Sequence, residues 1–196
     1  MRKKKRTKKR TAPSSSFTST RKLAVIGIGN PLMGDDAAGI LALEKLLKTD
    51  LPRGTKIIDA GTGGMSLLHI LSKYDAVVIA DAVDMGLRVG QVRVFSPNEV
   101  VPGKTRERFS IHEGDFLEVV KVAQQLDECP EKIRICAIQP KLIKPSSGLT
   151  REVQEALPRL AQRVTSELWK FDQTRSKHDA SKVHLSRKRF GYAFFQ

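Results

Sequence analysis

The chain has 196 residues, 40% of them hydrophobic, enough for one domain with a proper core and too apolar for a disordered chain. No apolar stretch reaches the length of a membrane span, and the basic N-terminus lacks both the apolar core of a secretory signal and a twin-arginine pattern. The net charge of +14 lies wholly in the ends: residues 1–22 carry ten Lys/Arg and no acid, residues 171–196 carry six against two, and residues 23–170 hold 19 of each sign. The high charge therefore says nothing of the folded part. It predicts solvated extensions with at most non-specific affinity for nucleic acid or anionic surfaces. Cys129 and Cys136 are too few and too oddly spaced for a disulfide framework or a zinc knuckle, so a reducing cytoplasm is the expected compartment.

In chain order, KLAVIGI (22–28) is a short apolar run ending in glycine, the pattern of a buried strand. AAGILALEKLLK (37–48) has helical spacing, with Ile40, Leu43, Leu46 and Leu47 along one stripe and Asp35 or Asp36 as its N-cap. TKIIDAG (55–61) predicts a second strand, GMSLLHILSK (64–73) a helix, and YDAVVIADAVD (74–84) a third strand ending in acids. QVRVFSP (91–97) alternates as a half-buried strand does, and the short MGLRVG before it predicts a hairpin-like step from the third strand. HEGDFLEVVKVAQQL (112–126) predicts a helix and KIRICAI (132–138) a strand. Residues 149–171 predict a long helix capped by Thr150 and kinked at Pro158. Strands alternating with helices imply an α/β fold, a mostly parallel but mixed sheet covered on both faces. Sites in such sheets form at the carboxyl ends of parallel strands.

Acids stand at those ends. Asp35 and Asp36 follow the first strand, Asp59 ends the second, and Asp81 ends the third with Asp84 close behind; His112 opens a helix further on. One or both acids of the first pair, Asp81 and His112 can converge on one cleft. Two carboxylates and an imidazole make an oxygen/nitrogen site for nickel, zinc or another divalent first-row ion. Each residue also has a structural reading. An Asp before a helix is commonly a cap, Asp59 before AGTGG can brace a turn, and a lone histidine is commonly structural. Asp81 resists such a reading, because a carboxylate at a buried strand end needs a partner.

Other chemistries fit less well. In GIGNPL the third glycine of a dinucleotide loop is replaced by Leu32, and Asp59 lies too far on for its acid. HEGDF has Phe116 where a zincin needs its second histidine, and no GxSxG elbow occurs. Cys136 lies inside an apolar strand, and His69, His178 and His184 lack a ligand-like setting.

GIGNPLMGDDAAGI, DAGTGGMSLL, VIADAVDMG, SIHEGDF and AIQPKLIKPSSGLTREVQEAL occur in one order across about residues 22–168. In this the chain resembles the hydrogenase maturation endopeptidases, which trim the C-terminal extension of the large-subunit precursor of nickel–iron hydrogenases. The resemblance implies a three-layer α/β/α sandwich and a protease domain over 22–170, flanked by a basic extension at 1–21 and a basic tail at 171–196. It implies an aspartyl-type endopeptidase, a hydrolase that activates another enzyme by processing it. The metal-contacting positions it implies are Asp36, Asp81 and His112, gripping nickel carried by the precursor, and Asp59 is assigned to substrate orientation or proton transfer. Many members carry Glu where Asp36 stands. Asp at that position, with DMG at 84–86, resembles the subset that serves formate-hydrogenlyase hydrogenases. Ala60 departs from the commoner DGGT turn.

The expected partner is thus a hydrogenase large-subunit precursor, with no specific nucleic acid, no membrane insertion and a size compatible with a monomer. Two rival readings share features. A non-catalytic nickel-binding maturation factor would use the same three side chains without cutting. A peptidyl-tRNA hydrolase-like enzyme also opens with a strand and a GNP turn, but its histidine follows soon after, and residues 31–68 contain none.

Overall fold

A strand with a neighbour on either side and helices above and below has no face left for water, so its sequence must be apolar throughout. LAVIG is such a strand. It forms β1 (Leu23–Gly27), buried at every position. The computed structural model describes residues 21–99 and 111–188, with side chains described except at 111–115 and 174–188. In these ranges β2 (Lys56–Asp59), β3 (Ala76–Ala82), β4 (Val92–Phe95) and β5 (Lys132–Ile138) complete a five-stranded sheet of order β2-β1-β3-β5-β4. All neighbours are parallel except β4, which runs antiparallel on the edge.

Alternation along the strands divides the interior into two layers. Leu23 and Val25 of β1 and Ala76, Val78 and Ala80 of β3 pack with α1 (Ala38–Leu46) and α4 (Arg151–Lys188). Ala24, Ile26, Val77 and Ile79 point the other way, to α2 (Ser66–Leu71) and α3 (Ile111–Gln125). The result is the expected α/β/α sandwich. Each fully buried Leu or Ile contributes about 1.5–3 kcal/mol. The two clusters together hold the sheet from both sides.

Four local expectations are corrected. First, QVRVFSP does not pair with β3; β5 lies between them, and β4 pairs with β5 through Val92↔Ile138 and Phe95↔Ile135. KIRICAI is buried along most of its length and is stable only with a neighbour on each side. The MGLRVG segment therefore crosses the end of β5, where Gly90 N–H donates to the Gln139 carbonyl and Gln139 N–H to that of Gln91. Second, neither Asp35 nor Asp36 caps α1. They form a 3-10 turn with Ala37, and no side-chain cap bond is made there. Third, the stripe on α1 is rotated. Leu43 and Leu46 are buried with Ala38 and Ala42, whereas Leu47 is 72% exposed. Small residues, Ala38, Gly39 and Ala42, let this helix lie close to the sheet. Fourth, the Thr150 hydroxyl does not cap α4 but donates to Asp35. α4 runs through Pro158 and on to Lys188 without a break in helix. Pro158 sits on its exposed face, and the end at 171 expected from composition is not the end of the helix. Residues 1–20 and 189–196 of the basic extensions lie outside the described residues.

Candidate active site at the carboxyl end of the sheet

In the order β2-β1-β3, the chain leaves β1 through α1 toward one side and returns through α2 to the other. The connections therefore diverge at the carboxyl ends of β1 and β3, which opens a crevice there. The sequence supplies a tight fit around it. Gly29 has a φ of +146°, and a Cβ on it would lie 1.9 Å from the Asp36 carbonyl oxygen. A Cβ on Gly39 would lie 2.2 Å from the Ile28 carbonyl oxygen and 2.3 Å from that of Ala80. Only glycine at these two places lets the 3-10 turn and the first turn of α1 sit directly on the ends of β1 and β3.

The adjacent aspartates in this turn have different tasks. Asp35 is completely buried. Its Oδ2 accepts the Lys141 and Leu142 N–H groups at 2.8 and 3.0 Å and the Thr150 hydroxyl at 2.9 Å; its Oδ1 accepts the Thr150 N–H at 2.7 Å. One carboxylate thus pins both ends of the 141–150 loop, and donors to an ionised acceptor are about twice as strong as neutral ones. Backbone bonds close the same seam, from Asp35 N–H to the Leu142 carbonyl and from Ser146 N–H to that of Leu32. Asp36 is 2% exposed, its Oδ2 accepts the Asn30 N–H at 2.7 Å, and its turn packs against β3. The first acid of GDD is a strut. The second is held at the crevice by the turn that leaves β1.

Asp81 is 3% exposed, and its Oδ1 accepts the Ala82 N–H at 2.7 Å. Gly27 pairs with Ala80, so Asp81 stands one residue beyond the last rung shared with β1. It has the parity of Val77 and Ile79, which face α2 and α3. His112 lies in the first turn of α3. The last turn of α3 connects through a short segment to the start of β5. The first turn therefore lies toward the carboxyl ends of the strands, on the face to which Asp81 belongs. The His112 side chain is outside the described residues. Among the described residues no three His, Cys, Asp or Glu groups come together as a metal site.

Asp59 is exposed at the end of β2, on the far side of β1 from Asp81. Its Oδ1 accepts the Gly61 N–H at 2.9 Å, and it has the parity of Ile57, which faces α1 and α4. Asp59 therefore braces the turn after β2 and stands on the rim of the crevice.

Gln139 is a site-forming residue to which the sequence reading gave no role. It is 5% exposed; its Oε1 accepts the Met85 and Leu87 N–H groups and its Nε2 donates to Asp84 Oδ1 at 2.9 Å. The signal was a polar side chain directly after a buried strand, where it must find partners. Here it shapes the loop that follows Asp81.

The cysteines are poor nucleophiles. Burial pushes the Cys136 thiol up to about 12, with the Glu167 carboxylate adding to the effect, and burial also raises that of Cys129. A thiol nucleophile needs the opposite shift. What the crevice offers is a pair of buried carboxylates, suited to a cation or to proton transfer.

Comparison with known proteins agrees with this architecture. The hydrogenase maturation protease family model matches residues 40–167. The hydrogenase expression/formation protein HupD of Rhizobium leguminosarum bv. viciae is 31% identical over 139 residues, covering 70% of this chain and 69% of its own. The hydrogenase 2 maturation protease of Escherichia coli is 28% identical over 148 residues, covering 75% and 90%. The solved hydrogenase maturating endopeptidase HybD from E. coli superposes with a TM-score of 0.68 at 29% identity, over 76% of this chain and 93% of that one. With the sandwich and these matches in agreement, the chain belongs to the hydrogenase maturation protease family.

Proposed function

We propose that this chain removes the C-terminal extension of a nickel–iron hydrogenase large-subunit precursor after nickel has been inserted. In this reading Asp36, Asp81 and His112 take hold of the nickel that the precursor carries, so the metal is part of the substrate. The observation that carries the proposal is the pair of buried carboxylates at the switch-point crevice, Asp36 on the 3-10 turn that packs against β3 and Asp81 near the carboxyl end of β3.

The chemistry follows from the residues. Carboxylate oxygens suit a divalent first-row cation, so in this reading a precursor that brings such a charge is favoured over one that does not. Nickel bound there supplies polarisation of the scissile carbonyl or activation of a water. Asn30 N–H keeps Asp36 oriented, and the Ala82 N–H keeps Asp81 oriented. Asp59 on the rim is assigned to orienting the incoming peptide or passing a proton to the leaving amine. With both thiols shifted upward, the attack belongs to water and not to cysteine. Among the described residues no helix is long and apolar enough to cross a membrane.

The test is to incubate the protein with nickel-loaded and nickel-free precursor and weigh the products by intact mass spectrometry. Loss of a C-terminal peptide from the loaded form alone is expected. A loaded precursor of unchanged mass overturns the protease reading. Equal cleavage of both forms overturns the role of nickel.

A further inference from the structure

The opposite end of the sheet has a feature that the proposed protease chemistry does not use. The amino ends of β1 and β2 and the end of α2 enclose a cavity of about 440 Å³, lined by Arg21, Lys22, Arg53, Lys56, Lys73 and Tyr74. Five cations line it and no acid does. Arg21 is partly committed, donating to the Phe171 carbonyl and to Glu131. Lys22, Arg53, Lys56 and Lys73 are exposed, and no ion pair among the described residues engages them. The nearby Asp75 carboxylate accepts the backbone N–H of Lys22. Like charges gathered around a concavity focus a positive potential, and a polyanion relieves their mutual repulsion.

Two further observations narrow the ligand. Residues 1–20 contain eight Lys/Arg and no acid, and they join the domain at Arg21, on the cavity wall. Tyr74 packs against the core on the α2 and α3 side and also lines the cavity, so an anchored aromatic residue stands among the cations. A concave basic surface with a fixed aromatic is the chemistry that tracks single-stranded nucleic acid, with cations on phosphates and a ring against a base. A flat lipid surface would instead favour protruding apolar side chains beside the cations.

We propose that the amino end of the sheet is a sequence-independent binding surface for single-stranded nucleic acid, tested below with RNA. Lys22, Arg53, Lys56 and Lys73 meet phosphates, and Tyr74 meets a base. The proposal does not rest on the protease reading.

The test uses the full chain and a fluorescent oligouridine of about 20 nucleotides, followed by anisotropy across a salt series. Binding that weakens with salt is expected. The triple variant Arg53→Glu/Lys56→Glu/Lys73→Glu should bind about tenfold or more weakly, and the slope of log affinity against log salt should shrink by about two, as losing three phosphate contacts requires. Tyr74→Leu should cost about fivefold with the slope unchanged. All three reversed residues are exposed, so far-UV circular dichroism should not change. No RNA binding at low salt overturns the proposal. So does a triple variant with native affinity and slope, with binding lost instead in Lys3→Gln/Lys4→Gln/Lys5→Gln/Arg6→Gln, which would make the leader alone responsible. Phosphatidylserine vesicles bound in preference to RNA would overturn it in favour of a membrane surface.

Discussion

The two ends of the sheet are built on opposite principles. Nine glycines among the described residues have positive φ, and only Gly54 of these lies at the amino end. The carboxyl end takes the rest, and with them the sharp turns that press backbone against backbone around Asp36 and Asp81. Asp36 and Asp81 are buried there, and each accepts an N–H group that orients it. Around the cavity at the amino end the lining charges are long and cationic, and Lys22, Arg53, Lys56 and Lys73 are exposed. A reaction needs the first arrangement, because a group must be fixed to be useful in a transition state. Tolerant binding of a polyanion needs only the second, because flexible cations can follow any backbone.

The largest expected effect breaks the carboxyl end chemically while sparing it structurally. Asp81→Asn keeps shape and volume at a position 3% exposed but removes the charge. His112→Ala removes the imidazole from the first turn of a helix. Each should lower processing of nickel-loaded precursor by about a hundredfold or more, measured by intact mass, with the native circular dichroism spectrum retained. Full activity in His112→Ala would take histidine out of the site.

Next comes the contrast within GDD. Asp35→Ala strands four donors that now share one buried carboxylate. It should cost about 3 kcal/mol or more in urea unfolding. Asp36→Asn keeps an acceptor for the Asn30 N–H, so it should cost less than about 1.5 kcal/mol while impairing processing. Equal stability losses would mean that both aspartates are struts. Asp36→Glu should keep processing within about tenfold, since an extra methylene shifts the carboxylate without removing its charge.

That contrast marks where the sequence was legible. Strand and helix identities followed from period and length, since LAVIG and AVVIADA have no other way to bury their side chains. The strand-end acids were visible for the same reason: a carboxylate after a run such as VVIA must have a purpose. The division of labour between Asp35 and Asp36 was not visible. It depends on a loop more than a hundred residues away and on which neighbour turns inward, neither of which local pattern encodes. The place of β4 was hidden similarly. MGLRVG looks like a turn, and only the need of β5 for a second neighbour carries the chain past β3.

A smaller effect tests the backbone fit. Gly39→Ala would bring a Cβ within 2.3 Å of two carbonyl oxygens, and neither can move without disturbing β1 or β3. A loss of about 1–3 kcal/mol is expected, with processing reduced because the turn carrying Asp36 must lift. Unchanged stability would show that α1 can slide. Thiol labelling gives a further check. With Cys136 buried and its pKa near 12, Ellman's reagent should modify Cys129 slowly and Cys136 only on unfolding. Rapid labelling of both would mean that the sheet opens more readily than its packing implies.

The smallest expected effect bears most directly on the comparison. Arg53→Glu/Lys56→Glu/Lys73→Glu reverses the charge of the amino end, yet it should leave processing within about twofold at physiological salt. The five residues of β1 separate the ends by about 16 Å, and screening in 0.15 M salt acts over about 8 Å. The reversed side chains are exposed, so neither core cluster has to repack. A steep loss of processing in this variant would mean that the precursor itself reaches around to the basic cavity. The two ends would then form one extended substrate surface, and the loss would deepen as salt is lowered.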